Sequence, residues 1–193
     1  MIINIHSQRG FSLIELLVSL IIFSVGLLGV ARLQVVSKQS NYESLQRTTA
    51  SQIANGLLEE MRTNGIALPV YLAAGELGGG KFVAEPQPSC VFGSECTAAQ
   101  KALHDLWFWE RILDGDFENS GGVGTGGLLL PALCINGSAA GGPGPYAVTV
   151  VWRGALALTN NNADACGAAG GNFGANNEFR RIVQIPTYID PNF

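Results

Sequence analysis

A single carboxylate, Glu15, lies inside an otherwise uncharged apolar run that extends from Phe11 to Ala31. A charged side chain in a membrane helix costs on the order of a few kcal/mol unless it is paired, so Glu15 marks a candidate functional position. If the chain is cut after Gly10, the new ammonium group of Phe11 lies four residues before Glu15. Opposite charges at this spacing share one helix face, and the Glu15 carboxylate can equally pair with the amine of a neighbouring subunit.

Four cysteines follow the apolar run, and an even count in an exported chain predicts two disulfides with three possible pairings. We favour Cys90–Cys96, which closes a short loop, and Cys134–Cys166, which ties two strand regions together. A zinc site is the alternative, but the chain has no C-x-x-C motif and only His104 lies outside the N-terminal ten residues. We therefore predict no metal site.

The remaining polar residues do not form a known catalytic pattern. The glycine runs lack the Gly-Lys-Ser/Thr of a phosphate-binding loop, no G-x-S-x-G is present, and a histidine-based triad would depend on His104 alone. Asp105 and Glu110 are five residues apart, which does not place them on one helix face for acid–base chemistry. Asp114, Asp116 and Glu118 lack the calcium-loop spacing and predict a solvated acidic turn. The sequence predicts neither an enzyme nor a cofactor.

Composition excludes other classes. Only 13% of the residues are charged and the net charge is −4, with no Lys/Arg cluster to neutralise phosphates, so we predict no nucleic-acid partner. Hydrophobic residues make up 47% of the chain, which is ample for a core, and many of the 25 glycines fall in the second half. The chain therefore predicts one domain, one long appendage and glycine-rich loops.

The appendage is a predicted helix that positions Glu15. As a helix, residues 11–31 would span about 30 Å, the thickness of the hydrocarbon core of a bilayer. The small residue Gly10 precedes the apolar run, whereas an ordinary secretory signal is cleaved after it. An uncleaved single-pass anchor is the alternative. Arg9 lies on one side of the run and Arg32 and Lys38 on the other, so the charges do not fix the orientation.

Beyond the apolar run the helix is predicted to continue to about Asn64, with Gly65 and Pro69 as stop signals. Apolar residues recur every three or four positions, which indicates one buried face. This stripe consists of Tyr42, Leu45, Thr49, Ile53, Leu57 and Met61, widened by Ala50, Ala54 and Leu58. Gln46 is assigned to a polar face.

The rest of the chain predicts a small α+β domain. Residues 70–96 are predicted to be irregular, and Thr97 and Gln100 form a capping box for a helix that ends near Leu113. We expect the tryptophans of this helix to pack against the rest of the domain. Three segments rich in β-branched and aromatic residues predict antiparallel strands, separated by glycine-rich loops. The strands are residues 128–135, 146–153 and 179–189, and the loops are residues 119–127, 137–145 and 160–177.

The segment Gly10-Phe11-Ser12-Leu13-Ile14-Glu15 resembles the processing site of type IV prepilins and related pseudopilins. The resemblance implies that a prepilin peptidase cuts between Gly10 and Phe11 and N-methylates Phe11, and that Glu15 serves in subunit recognition during assembly. It also implies a pilin-like fold, with a long N-terminal helix packed on a small antiparallel sheet domain. The implied boundaries are a leader at 1–10, a transmembrane half-helix at 11–31, an amphipathic half-helix at 32–64 and a globular periplasmic domain at 65–193.

Later segments are similar to the PilV-type pilus modification proteins, namely residues 53–62, 96–109 and 146–152. This similarity implies a minor pilin of the inner membrane, with its domain in the periplasm, that takes part in initiating the pilus used for twitching and ends at its tip. Its implied partners are other minor pilins, the major pilin, the inner-membrane assembly platform and membrane lipid. A pseudopilin of a type II secretion or DNA-uptake system is the first alternative, and a membrane-anchored enzyme or binding module is the second.

Overall fold

The computed structural model describes residues 10–90, 95–121, 123–124, 126–159 and 164–192. The chain divides into two compact units after Tyr42. Residues 1–9 of the predicted leader, and parts of the predicted loops at 119–127 and 160–177, lie outside the described residues.

The first unit contains the beginning of helix α1, which extends from Leu13 to Thr63. All described residues from Gly10 to Tyr42 are exposed, although most of those up to Val36 are apolar. Within the described ranges, α1 is the one helix long and apolar enough to cross a membrane. A helix that is apolar on all faces requires a non-aqueous surrounding.

In the second unit α1 buries one face, but the face is shifted from the predicted stripe. Tyr42 and Leu45 are exposed, whereas Gln46 is only 5% exposed. The Gln46 side chain donates to the carbonyl of Gly127 at 3.3 Å and accepts from the backbone N–H of Leu129 at 3.2 Å. Because both ends of the amide are bonded, a polar side chain is stable where the pattern predicts solvent. The buried positions of α1 are Gln46, Ala50, Ile53, Ala54, Leu57, Leu58 and Met61.

The region after α1 differs from the prediction of an irregular segment. A 3₁₀ turn at Gly65–Ala67 leads into a short helix, α2, at Leu68–Ala73. Pro69, which was expected to stop the preceding helix, lies in the first turn of α2 instead. Proline is favourable there because the first N–H groups of a helix have no intrahelical partner. Leu68 and Tyr71 of α2 are fully buried.

Helix α3 extends from Ala98 to Asp114 and begins with the predicted capping box of Thr97 and Gln100. It ends at Gly115, whose φ of 78° is a left-handed conformation that glycine adopts without steric cost. Ala102, Leu106 and Leu113 join the core. Trp109 packs over Gly56 of α1, so closely that a Cβ at Gly56 would lie 2.0 Å from the indole ring.

Three of the strands form one antiparallel sheet. Two short antiparallel strands of two residues each, β1 at Asn119–Ser120 and β2 at Val123–Gly124, lie in a segment that was predicted to be a loop. Strands β3 at Ala132–Asn136, β4 at Gly144–Arg153 and β5 at Arg180–Ile189 form the sheet in the order β3-β4-β5. The architecture is the predicted α+β arrangement of a long helix with a small antiparallel sheet.

The central strand β4 is buried on both faces of the sheet. Tyr146, Val148, Val150 and Trp152 alternate along it and pack in the core formed with α1, α2 and α3. Val151 points to the opposite face. There it packs in a second, smaller cluster with Ala132, Cys166 and Phe173.

The two edges of this sheet are terminated differently. On the β3 side, Leu77 and Leu133 exchange two backbone hydrogen bonds of 2.8 and 2.9 Å. The other edge is formed by β5. Just before this strand, the carbonyl of Phe179 accepts from the N–H of Gly154, so the backbone groups of Phe179 face β4. Since antiparallel pairing alternates, the even-numbered residues of β5 direct their backbone groups away from β4. Pro186, which has no N–H, is one of them.

Candidate processing and assembly site

The Gly10–Phe11 bond lies before the first turn of α1, in backbone that is neither helix nor strand. A Cβ at Gly10 would meet nothing within 4 Å, and Phe11 is 84% exposed. The helix begins at Leu13, and the carbonyl of Ser12 accepts from the N–H groups of Glu15 and Leu16. The predicted cleavage position is therefore accessible and is followed at once by regular helix.

Glu15 lies in the first turn of α1 and is exposed. A carboxylate there is favoured by the positive end of the helix dipole, by about 0.3–1 kcal/mol at an exposed position. None of the ion pairs formed among the described residues includes Glu15. The Glu15 carboxylate and the apolar side chains around it are therefore exposed on the surface of the helix.

Both disulfides in the structure join the favoured cysteine pairs. Cys90 is bonded to Cys96 across a separation of six residues, just before α3. Cys134 of β3 is bonded to Cys166 across 32 residues, on the sheet face that carries the smaller core cluster. Glu76 lies beside the second disulfide, where its carboxylate accepts from the N–H of Gly167 at 3.0 Å. Disulfide sulfurs lack the thiolate charge that metal binding requires, so this group is not a metal centre.

A partly buried polar cluster joins the three helices of the second unit. The Lys101 ammonium lies 2.7 Å from Glu60 of α1 and 2.9 Å from Asp105, which in turn accepts from the hydroxyl of Tyr71 at 2.5 Å. Burial, together with the bond to Asp105, raises the pKa of the Tyr71 hydroxyl. Burial alone would lower the pKa of Lys101, but its bonds to Glu60 and Asp105 outweigh that effect and raise it. The cluster fixes how the helices pack.

Two carboxylates of α3 bind a glycine-rich loop. Glu110, which is 1% exposed, accepts from the N–H groups of Gly78, Lys81 and Phe82 at 2.6–2.9 Å. Asp114, one helical turn further, accepts from the N–H groups of Gly79 and Gly80 at 3.0 and 2.8 Å. Burial raises the pKa of Asp114 despite these two bonds. The sequence predicted that Asp114 lies in a solvated turn. The structure differs at Asp114, because the glycine-rich loop covers its carboxylate.

The other titratable residues of α3 have separate partners. His104 lies 3.3 Å from Glu85, while Asp105 and Glu110 contact different elements, as described above. Within the described ranges these residues do not converge on a common position where a substrate could react. The sequence had no signal for the roles of Glu110 and Asp114, because their partners are 28–35 residues away in the chain.

An exposed apolar helix with a carboxylate in its first turn continues into a disulfide-bonded sheet unit, and this α+β architecture matches that of type IV pilins. The family model of the prokaryotic N-terminal methylation motif matches residues 5–31, and that of the type IV pilin Tt1218 matches residues 32–107. Searches of curated proteins and of solved structures give no match. Over residues 5–107 the chain is therefore similar to type IV pilins.

Proposed function

We propose that this chain is a minor pilin that takes part in initiating and assembling the type IV pilus. The observation that supports the proposal most directly is the methylation motif at the start of an exposed apolar helix, with Glu15 in its first turn. The match to a type IV pilin model over residues 32–107 supports the same class. Type IV pilins are structural subunits rather than enzymes, so we propose no catalytic activity and no cofactor.

The proposed maturation follows the motif. A prepilin peptidase removes residues 1–10 and methylates the new amino group of Phe11, so that residues 11–31 anchor the mature chain in the inner membrane. Residues 32–64 then form the amphipathic half of the helix, and residues 65–193 form the periplasmic domain. The exposure of Gly10 and Phe11 ahead of the helix supports cleavage at this position, because a protease needs access to the bond that it cuts.

Glu15 is proposed to pair with the Phe11 amine of a neighbouring subunit and so set the axial register. In an apolar surrounding an ionised carboxylate needs a partner, and within the described residues α1 offers it no cation nearer in sequence than Arg32. Other minor pilins, the major pilin and the assembly platform are the proposed partners. The proposed final location is the pilus tip, and no nucleic-acid partner is proposed for a chain of net charge −4.

Intact-mass and N-terminal analysis of the protein from membranes, with and without active prepilin peptidase, tests the maturation. We expect a chain that begins with methylated Phe11 only when the peptidase is present. A chain that begins at Met1 under both conditions would overturn the proposal.

Replacing the carboxylate by Glu15→Gln tests assembly separately from processing. We expect normal cleavage at Gly10 and loss of incorporation into pili, because the neutral amide cannot form an ion pair with a neighbouring amine. Ser19→Ala is the matched control, since the Ser19 hydroxyl bonds only the Leu16 carbonyl of its own helix among the described contacts. Pili with wild-type amounts of the Glu15→Gln chain would contradict the proposed role of Glu15.

A pseudopilin of a type II secretion or DNA-uptake system is the second candidate, because such proteins share the N-terminal motif. Deletion of the gene separates the two. Loss of pili and of twitching supports the minor pilin, whereas loss of protein export with normal pili supports the pseudopilin.

A further inference from the structure

Three asparagines of this chain, Asn55, Asn64 and Asn136, are each followed directly by a glycine. An Asn-Gly pair can react with itself, because the backbone nitrogen of the glycine can attack the side-chain amide carbon of the asparagine. Glycine has no Cβ to hinder this attack, and its backbone adopts the required conformations readily. Since the three pairs share this local chemistry, any difference between them must come from the structure around them.

Asn55 lies in the interior of α1, which holds its backbone and that of Gly56 in helical conformation. In a helix the N–H of Gly56 donates to the carbonyl four residues earlier, so this nitrogen is already engaged. The side chain of Asn55 donates to the carbonyl of Ser51 at 2.8 Å. Attack on the amide would require the helix to open, so the pair is protected although Asn55 is exposed.

Asn64 follows the last residue of α1 and is 8% exposed. Its side-chain amide donates to the carbonyl of Ala98 at 2.8 Å and to the hydroxyl of Tyr71 at 3.4 Å. Gly65 packs so closely on Pro191 that a Cβ there would lie 2.9 Å from the Cα of the proline. Rotation of the amide toward Gly65 would break buried hydrogen bonds, so this pair is protected as well.

Asn136 is the last residue of β3 and is exposed. Its backbone pairs with Ala147 of β4, and the ladder does not include Gly137. Within the described part of the chain, neither the side-chain amide of Asn136 nor the N–H of Gly137 has a hydrogen-bond partner. Both reacting groups are therefore free in the folded structure.

Packing of the core requires the glycine that makes Asn136 reactive. A Cβ at Gly137 would lie 2.2 Å from the ring of Tyr146. Tyr146 is 1% exposed, and its hydroxyl donates to the carbonyl of Gly142 at 2.7 Å. A larger residue at position 137 would displace this buried ring, so the unhindered nitrogen next to Asn136 is a consequence of the fold.

We propose that Asn136 is a site of spontaneous deamidation in the folded chain, whereas Asn55 and Asn64 are protected. The Gly137 nitrogen bonds the amide carbon of Asn136, and ammonia leaves with the proton of that nitrogen, which gives a succinimide ring. Water then adds to one of the two ring carbonyls and breaks its C–N bond, which gives aspartate or isoaspartate. The reaction needs only this chain and water.

Deamidation changes the surface of the sheet at this position. The product makes the net charge of the chain one unit more negative than the present −4. The sheet register places residue 136 in one row with Ala147 of β4 and Pro186 of β5, which are half-buried and exposed. A carboxylate thus appears in a row that is otherwise uncharged. The isoaspartate form also lengthens the backbone by one carbon and shifts the turn that follows β3.

Peptide mass analysis of the ageing protein tests the proposal. The full chain in detergent is incubated at neutral pH in water enriched in heavy oxygen, both folded and in concentrated urea with its disulfides reduced. Every chain that deamidates by this route gains one heavy oxygen atom, which distinguishes it from chains altered earlier. Fragmentation of the peptides locates the change at residue 55, 64 or 136.

We expect all three asparagines to convert in urea. In the folded chain Asn136 should convert roughly tenfold faster or more than Asn55 and Asn64, because those two react only after local opening. Equal rates at the three positions in the folded chain would overturn the proposal. So would an Asn136 that stays intact in the folded chain while the urea sample converts.

Asn136→Gln provides a readout on the whole protein. Isoelectric focusing of the aged folded wild type should show a growing band with one more negative charge. The variant should lack this band, because its longer side chain closes a six-membered ring much less readily. Fresh samples of both proteins should melt at the same temperature, since the Asn136 side chain has no hydrogen bond among the described residues to lose. An acidic band of equal strength in the variant would assign the reaction to another asparagine and overturn the proposal.

Discussion

Helix α1 carries apolar residues in both units, but they have different surroundings. In the first unit every described residue from Gly10 to Tyr42 is exposed, whereas in the second unit Ala50, Ile53, Leu57 and Met61 are completely or almost completely buried. Burial of an apolar side chain contributes about 1.5–3 kcal/mol, so the second part is stabilised within the chain itself. The first part can gain this energy only from lipid or from other subunits. One helix thus contributes to the core in the second unit and is exposed along its whole described length in the first.

Among the tests of this comparison, we expect the largest effect from removal of the Cys134–Cys166 disulfide, which lies wholly in the second unit. Replacing both cysteines by serine should lower the free energy of unfolding of that unit by about 4 kcal/mol, because the disulfide closes a loop of more than thirty residues in the unfolded chain. Urea unfolding of the full chain in detergent measures it.

The Cys90–Cys96 disulfide provides the matched control, since it closes a much shorter loop. Its removal should lower the free energy of unfolding by about 1.5 kcal/mol less than removal of Cys134–Cys166 does, because the entropy of loop closure grows with the logarithm of loop length. An equal loss from both double variants would show that the disulfides act through native contacts rather than through loop length.

Glycine substitutions in the two parts of α1 should have different effects. Gly56→Ala should destabilise the second unit by about 1–3 kcal/mol, because the new Cβ overlaps the Trp109 ring. Gly29→Ala, where a Cβ meets nothing within 4 Å, should leave unfolding of that unit unchanged. Thermal melts followed by near-ultraviolet circular dichroism of the tryptophans measure both.

A double-mutant cycle identifies the cause of the Gly56→Ala effect. Trp109→Leu removes the ring, so adding Gly56→Ala to it should cost less than Gly56→Ala alone. Additive losses would mean that the indole ring is not what excludes a side chain at position 56.

We expect the smallest loss of stability from replacement of Lys101. Lys101→Met should destabilise the second unit by about 1 kcal/mol or less at neutral pH, because the ammonium group is partly exposed. The folded pKa of Lys101 is raised, so the stability it contributes is present below its unfolded pKa and is lost as pH rises through the higher folded pKa. As the pH rises above about 10, where Lys101 begins to lose its proton in the unfolded chain, the variant should therefore lose less stability than the wild type.

Two observations complete the Lys101 test. The Tyr71 hydroxyl also has a raised pKa, so part of the alkaline loss should persist in the Lys101→Met variant. Lys38→Met is the control in the exposed part of α1 and should leave urea midpoints unchanged across the range. Identical alkaline profiles for Lys101→Met and the wild type would contradict the role of this partly buried cluster.

Local patterns predicted the elements whose causes are local. The apolar run, the capping box of Thr97 and Gln100, and the presence of the three strands follow from neighbouring residues, although β3 begins at Ala132 and not at the predicted residue 128. The burial of Gln46 depends on Gly127, 81 residues away, and no periodicity contains that information. Pro69 was assigned to the wrong structure for a different reason, because proline is equally compatible with the end of one helix and the start of the next.

The candidate site shows the same division. The methylation motif and Glu15 were visible as residue types at fixed spacing, whereas the binding of the glycine loop by Glu110 and Asp114 depends on tertiary contacts alone. The glycines at 78–80 are required by backbone geometry, since all three have positive φ. Sequence reasoning could identify them as turn residues but not their carboxylate partners.

Pro186 on the outer edge of β5 bears on how many copies of this chain can be crowded together. An edge strand offers a row of N–H and C=O groups to which any other strand can add, and this becomes a hazard at the local concentration of a membrane or filament. A proline in the outward row removes one donor from that template. Two copies that meet along β5 would therefore form an interrupted ladder, which favours ordered packing through the helix over uncontrolled sheet growth.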